Sequence, residues 1–495
     1  MSIEIDRLKA GHKGDNGGSA VSREDGLENA GSERGQAFRS LEEIATALER
    51  GETTSVALTE YFLNRIATFN TQLHAYSETF ADACLRQAAA CDAIRHSGQT
   101  IGPLHGIPVA VKDIFDIAGL PTSAGSTALH DRVPEQSAFA VQRLIQAGMV
   151  VIGRTHMVEF AFGGWGTNPV MGAPRNPWDP SQHRVAGGSS SGSAVSVAAG
   201  LAPVALGTDT GGSVRTPAVW CGVIGLKTSH GLIGRGGVVP LCGTHDSVGW
   251  FSRTVRDSAL LLNVLQGADP RDAANARVAE IDALAEIEHG IANMKIGRLV
   301  DADLAGVDPD ILRLHDEALE DLEALGATIA PIHLPLSIAD YLKSGGDIMS
   351  YESFRALGQY VEAESSPVDP TIRGRIMAGK SITDDAYRQT LQRRLEAQAE
   401  FADRIADYDA LVMPGSHIVA RTLTDVDESV PPNFYGRVVN FLDLAAVAAP
   451  TGLTSEGMPA GIQIVVRKFD DALALRIARA LEKHRGGLVH VPAGY

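Results

Sequence analysis

The most restrictive feature of this 495-residue chain is one stretch, residues 187–243, where glycine is dense and charge nearly absent. It holds 14 glycines in 57 positions, where the chain's own average predicts about six, itself above the usual level. The whole chain is 21% charged, yet this window carries only Asp209, Arg215, Lys227 and Arg235. A segment so poor in charge is expected to be buried, and one so rich in glycine to contain tight turns and close backbone approaches. Serines recur through it: Ser189, Ser190, Ser191, Ser193, Ser196, Ser213 and Ser229. A flexible linker also combines glycine with serine, but linkers do not carry an apolar run such as AVSVAAGLAPVALG (194–207). The better reading is a site where backbone amides and hydroxyls converge on a ligand.

Two chemistries use such loops. Phosphate cradling needs GxxxxGK[ST], or GxGxxG opening a helix. The nearest match, Gly222-Val-Ile-Gly225-Leu-Lys227-Thr228, has the wrong spacing, and GGSSSG (187–192) lacks both the lysine and a following acidic residue. Acyl transfer needs a nucleophile whose neighbouring amides form an oxyanion hole. Thr210-Gly211-Gly212-Ser213 fits this: two glycines let consecutive N–H groups turn one way, with Ser213 at the edge of the nest. The G-x-S-x-G elbow is absent, because the sequence around Ser213 is GGSVR, so no His/Asp partners are assigned. A base is supplied by Lys112, which interrupts the apolar run Ile107-Pro-Val-Ala-Val-Lys112-Asp-Ile-Phe. Buried among apolar neighbours, a lysine loses its proton readily.

Around this segment the chain alternates between strand and helix patterns. Runs at 107–111 (IPVAV) and 149–153 (MVVIG) suit buried strands, and 137–147 between them suits a helix, which together predict a parallel pair. Further strands are expected at 203–207, 295–300, 411–413 and 461–466, and helices at 255–266, 308–325 and 470–484. Ser40-Leu-Glu-Glu43 reads as a capping box opening an N-terminal helical layer over 40–98, with further helices at 55–69 and 80–96. Residues 340–407 read as mostly helical, within a variable helical region of about 305–407. Residues 1–38 are polar and too poor in apolar surface to offset the entropy of ordering, so a flexible tail is expected there, followed by a single catalytic domain over 39–495. The fold class is α/β, a large mixed β-sheet covered on both sides by α-helices.

Composition removes several classes of function. With 43 Lys+Arg against 60 Asp+Glu, the net charge of −17 repels nucleic acid and anionic lipid, so neither is expected as a partner. No apolar run of about 18 residues exists to span a membrane. The four cysteines, Cys84, Cys91, Cys221 and Cys242, are too scattered for a disulfide scaffold or a zinc site, and reduced thiols point to the cytoplasm. Cys221 lies in an apolar run and reads as an inert thiol. His156 and Glu159, three apart on an expected helix, give two ligands and hence no metal site, and His105 and His230 lack partners. Neither metal nor organic cofactor is expected.

The segment GGSSSGSAVSVAAGLAPVALGTDTGGSVRTPAVWCGVIGLK (187–227) closely resembles the signature of the amidase signature family. GPLHGIPVAVKDIFDIAGLPTSAGS (102–126), GRTHMVEFAFG (153–163), RNPWD (175–179), DSVGWFSRTVRDSALLL (246–262) and GMPAGIQIV (457–465) agree with it. The resemblance thus runs in order through residues 40–485, with the signature core at about 102–265. It implies a Ser-Ser-Lys triad: Ser213 as the acylated nucleophile, Ser189 after a cis peptide as proton relay, and Lys112 as the ultimate base. It also implies an oxyanion hole from the amides of Thr210, Gly211, Gly212 and Ser213. Asp209 and Arg215 are expected to pair and hold the loop. The common GGSSGGS appears here as GGSSSGS, with Ser191 replacing a glycine, and Ser190 is a candidate second donor in the pocket.

The resemblance fixes attack on a C–N carbonyl but leaves the substrate open. Gly163, Gly164 and Trp165 align with the loop lining the family's acyl pocket, with Phe160, Phe162, Trp220, Phe434 and Tyr435 as weaker candidates for its wall. An aromatic pocket with few charges favours aryl or medium apolar acyl groups. The expected function is hydrolysis of a small-molecule amide, extending to carbamates, ureas or hydrazides. The alternative is the A subunit of a glutamine-dependent, tRNA-linked amidotransferase, which the tail and the divergent 340–440 region disfavour. A homodimer is compatible with the sequence.

Overall fold

The structure, a computed structural model, describes residues 35–276 and 279–495. Among them eleven strands form one mixed sheet: β1 (Tyr76–Thr79), β2 (Pro108–Lys112), β3 (Val150–Thr155), β4 (Ala205–Asp209), β5 (Ile224–Lys227), β6 (Ser247–Ser252), β7 (Lys295–Leu299), β8 (Thr328–Ile332), β9 (Ala410–Pro414), β10 (Ala445–Leu453) and β11 (Pro459–Val466). Their spatial order is β1-β3-β2-β4-β6-β5-β10-β11-β9-β7-β8. The expected parallel pair is β2 with β3, joined through the helix Phe139–Gln146, and β4 extends it in parallel on the other side of β2. β6, β5, β10 and β11 continue the sheet antiparallel, and a second parallel set, β9, β7 and β8, closes the far edge.

Every residue of β2, β3, β4, β5, β6, β9 and β11 is buried. Strands buried along their whole length must be covered on both faces, so helices flank the sheet on each side. The strand expected at 203–207 begins two residues later, at Ala205, because Ala202 and Pro203 still belong to the turn that leaves the helix Ser191–Ala198. The Ser40 capping box forms: the Ser40 hydroxyl accepts from the Glu43 amide at 3.2 Å, and the Glu43 carboxylate accepts from the Ser40 amide at 2.7 Å. The region 340–407 resolves into three helices, Ile338–Val361, Pro370–Ala378 and Asp384–Ile405.

Residues Ala37–Tyr495 form one compact unit. The flexible tail expected over 1–38 lies, for its first 34 positions, outside the described residues. Its end requires a correction. Ala37 is fully buried, and the Arg253 guanidinium sits 5.3 Å from the centre of the Phe38 ring. This apolar pair finds cover on Gly200, so the folded body begins ahead of residue 39.

The glycine excess has a mechanical cause at the centre of the sheet. A Cβ on Gly192 would lie 2.2 Å from the Ala75 carbonyl oxygen and 2.6 Å from the His156 amide nitrogen. Only a residue without a side chain lets the helix Ser191–Ala198 seat this closely against neighbouring backbone, and that seating fixes the serines preceding it.

Candidate active site

Lys112 ends β2, and its side chain reaches under the loop that opens the helix Ser191–Ala198. Its Nζ lies 2.8 Å from Ser189 Oγ, 2.9 Å from Ser190 Oγ and 2.8 Å from Thr208 Oγ1. Lys112 is fully buried, and burial pushes its amine down from 10.5 to about 7, against the opposing pull of Asp209 and Asp246. Near neutral pH a large share of the amine is therefore uncharged. A neutral amine has two N–H donors and one lone pair, so one of the three hydroxyls must donate to it. The Ser190 hydroxyl already donates to the Thr208 carbonyl at 3.2 Å. Ser189 and Thr208 are left as the groups whose protons face the lone pair. The peptide bond before Ser189 is cis.

The loop carrying Ser213 follows β4, and Asp209 at the end of that strand organises it. One carboxylate oxygen accepts from the Gly212 amide at 2.9 Å, the other from the Val214 amide at 3.0 Å. The Arg215 guanidinium donates to both oxygens, at 2.8 and 3.1 Å, and Asn440 adds a further donor at 3.1 Å. Both members of the Asp209–Arg215 pair are essentially without solvent exposure, and Arg215 and Lys227 hold the Asp209 carboxyl well below the usual carboxylate range. Arg215 reaches onward to Gln463, Asn440 and the Gly436 carbonyl, tying the loop to β11 and to the helix Phe434–Phe441. The Ser190 amide donates to the Ser213 carbonyl at 3.3 Å, so the two serine loops adjoin.

This geometry corrects the expected oxyanion hole at one position. The Gly212 amide already donates to Asp209 at 2.9 Å, so of the four amides expected there it is the one that is taken. Gly212 is still required as glycine, because its φ is +112° and a Cβ would press on Asn433 and Gly436, each at 3.2 Å. Thr210 is fixed from behind by a 2.6 Å hydrogen bond from its hydroxyl to Asp246.

Ser213 opens onto a cavity of about 190 Å³, smaller than the roughly 300–1,000 Å³ of drug-sized sites. Gly163, Gly164, Trp165 and Phe162 line one wall as expected, and the Trp165 indole donates to the Val430 carbonyl at 2.9 Å. Four other expected wall residues lie elsewhere. Phe160 stacks near Tyr360, Trp220 backs Trp165 from the core, Phe434 stacks on His417, and the Tyr435 hydroxyl donates to the Asp303 carbonyl. Ser190, expected to donate into the pocket, is fully buried and turned toward Lys112 and Thr208. The lining also takes in Met349, Pro431 and Pro432 together with the polar side chains Ser350, Arg375, Glu428, Asn433 and Arg437. The expectation of few charges is thereby corrected, because these residues are distant in sequence and carry no local motif.

The remaining candidates have structural employment. Cys221 is fully buried with its Sγ on the Ala186 carbonyl, and burial pushes its thiol far up. Glu159 accepts from Ser126 at 2.5 Å and from the Asp369 amide at 2.8 Å, and burial lowers His156 to about 4. The two lie outside any α-helix, at the entry to a single 3-10 turn, Glu159–Ala161. His105 contacts the Thr100 hydroxyl and His230 the Gly243 carbonyl. Among the described residues no group of three or more His, Cys, Asp or Glu side chains could hold a metal ion.

A family model described as Amidase matches residues 57–475. The chain belongs to the amidase signature family. The A subunit of the glutamyl-tRNA(Gln) amidotransferase from Chloroflexus aurantiacus is 34% identical over 463 residues, covering 88% of this chain and 94% of that one. A chain of a vestigial protein complex tied to the evolutionary origins of an s-triazine catabolic enzyme superposes with a TM-score of 0.86. It shares 28% identity over 92% of this chain and all of its own length. The peptide amidase of Stenotrophomonas maltophilia superposes with a TM-score of 0.81 at 29% identity, over 92% of this chain and 98% of that one. This amidase signature enzyme therefore acts on C–N bonds. No helix among its described residues is long and apolar enough to cross a membrane.

Sequence reasoning missed Thr208, the third hydroxyl on Lys112, because a threonine in an apolar strand reads as a β-branched packing residue. It also missed Asn440, which clasps both Asp209 and Arg215 from a distant helix.

Proposed function

We propose that the chain is a hydrolase of small-molecule amides that works through an acyl-enzyme on Ser213. The observation carrying this reading is Lys112: fully buried, near neutrality in its proton affinity, and 2.8 Å from the Ser189 hydroxyl. With substrate in the cavity, Ser213 Oγ attacks the amide carbonyl while its proton passes by way of Ser189 to the Lys112 amine. The negative charge that develops on the carbonyl oxygen is met by the amides of Thr210, Gly211 and Ser213. Lys112, now an ammonium, returns the proton through Ser189 to the departing amine, and the C–N bond breaks. Water then attacks the ester, giving its proton along the same path, and releases the acid and Ser213. A reducing compartment such as the cytoplasm suits the four free, buried thiols.

A second reading has its own support. The similarity to the A subunit of glutamyl-tRNA(Gln) amidotransferase spans 88% of the chain, and a protein of that kind would release ammonia from glutamine for a partner. The net charge of −17 weighs against close contact with a polyanion. Incubating the purified chain alone with a panel of alkyl and aryl amides, ureas, hydrazides and glutamine separates the two. Turnover of small amides without partner proteins, lost in Ser213→Ala, supports the hydrolase. Turnover restricted to glutamine, or none at all, favours the amidotransferase.

A further inference from the structure

The cavity beside Ser213 contains a cation with nothing to balance it. Arg437 projects from the helix Phe434–Phe441 and lines the cavity together with Gly211 and Ser213. Its Nε and Nη1 are fully buried and have no hydrogen-bond partner among the described residues. Arg215, on the other side of the same loop, is the contrast: its donors are placed on Asp209, Gln463, Asn440 and the Gly436 carbonyl. An unpartnered guanidinium is costly to bury, so its persistence at a cavity wall calls for a ligand that supplies the missing acceptors.

The neighbouring groups do not supply them. Arg375 and Glu428 also line the cavity, but they pair with each other at 2.8 Å, and Arg375 donates further to the Phe162 carbonyl. His245 is also unpartnered at both ring nitrogens, and burial together with Arg394 and Arg437 keeps it neutral. Burial and Arg375 lower the Arg437 guanidinium only to about 10, so it stays charged at neutral pH. The cavity as a whole therefore carries one unbalanced positive charge. It sits beside the nucleophile loop: a Cβ on Gly211 would lie 3.1 Å from both Cδ and Nε of Arg437. Gly346, in the middle of the helix Ile338–Val361, backs the guanidinium on the other side, where a Cβ would be 3.6 Å from Nη1, in van der Waals contact.

We propose that Arg437 is the carboxylate anchor of the substrate, and that the preferred substrates are half-amides of short dicarboxylic acids. The carboxylate takes two N–H donors of the guanidinium, and the amide carbonyl sits at Ser213. The small cavity and the closeness of Arg437 to Gly211 restrict the spacer to a few carbons. This inference rests on the hydrolase reading above and narrows its substrate class.

The test compares kcat/KM of the purified chain on succinamate and glutaramate with that on butyramide and valeramide, in which a methyl group replaces the carboxylate. The wild-type chain is expected to prefer the acids by about 100-fold. Arg437→Gln should lower that ratio at least about tenfold, mainly through KM, and Arg437→Lys should restore part of it. Calorimetric binding of succinamate to Ser213→Ala, with and without Arg437→Gln, reads the anchor without any turnover. Competitive inhibition of the wild-type chain by succinate reads it without an Arg437 variant. A chain that cleaves butyramide as well as succinamate, and is not inhibited by succinate, overturns the inference and leaves the hydrolase reading standing. If no amide is cleaved, the hydrolase reading falls, and the inference falls with it unless Ser213→Ala binds succinamate through Arg437.

Discussion

Replacing Lys112 with methionine is expected to abolish turnover and, at acidic pH, to make the chain more resistant to heat. The depression of the amine from 10.5 to about 7 corresponds to about 5 kcal/mol of preference for the neutral form in the folded state. Between pH 7 and 10.5 the unfolded chain holds one proton more at this site than the folded chain, so stability rises with pH across that window. Below about pH 7 both states are protonated there, and the whole cost of the buried ammonium is present. Methionine has nothing to protonate and removes that cost. It also takes a hydrogen-bond partner from Ser189, Ser190 and Thr208, and buried hydroxyls left unpaired cost about 1 kcal/mol or more each. The net expectation at pH 6 is a gain of about 1–3 kcal/mol. For a chain of this length that is roughly 1–3 °C in Tm. The gain should shrink as pH rises toward 9 and reverse above it. Thermal melts of both proteins at one scan rate, in buffers from pH 6 to pH 9, provide the assay. A variant less stable than wild type at pH 6, or a difference that does not change with pH, would refute a lysine buried near neutrality.

The other consequences concern the same pocket and its supports. Wild-type kcat/KM on a neutral amide should climb with unit slope to a plateau above about pH 7, the value to which Lys112 is lowered, because only the free amine accepts the nucleophile's proton. Thr208→Val removes one of the three acceptors of the ammonium form, so a pH–rate profile should show that limb moved to lower pH. Asp209→Asn breaks the buried pair with Arg215 and should cost about 3–5 kcal/mol in denaturant melts; an unchanged midpoint would contradict its place in the loop. Gly212→Ala forces a side chain onto a backbone at φ +112° and should lower kcat about tenfold or more, with less effect on KM. Cys221→Ala should stay within about twofold of wild type, and the wild-type thiol should resist alkylation until the chain unfolds, as its burial requires.

What the sequence could and could not reveal follows from how far apart the cooperating residues lie. β2 and β3 were readable because strands of a parallel pair covered on both faces appear as unbroken apolar runs. β10 was not: AAVAAPTGL is built of small residues with Pro450 and Gly452 inside it, where the register with β11 shifts. β8 carries Pro331, which argues for a turn until its place on the sheet edge is known. In the site, Lys112, Ser189 and Ser213 sit in compact motifs that announce themselves. The rest of the lining is assembled from residues 346–350, 375 and 428–437, brought in by two helices of the variable region, the loop 426–433 and the helix Phe434–Phe441, none of which carries a local motif. Which amide of a Gly-Gly nest faces a substrate also depends on a partner, here the Asp209 carboxylate that occupies Gly212.

The central claim is that Ser213 becomes acylated. Intact-mass analysis of the chain quenched in acid during turnover of a slowly hydrolysed aryl amide tests it most directly, followed by peptide mapping of any adduct. The account predicts a single added acyl group on the peptide containing Ser213, absent from Ser213→Ala and strongly reduced in Lys112→Met. An acyl group on Ser189 or Cys221 instead, or its persistence in Ser213→Ala, would contradict it.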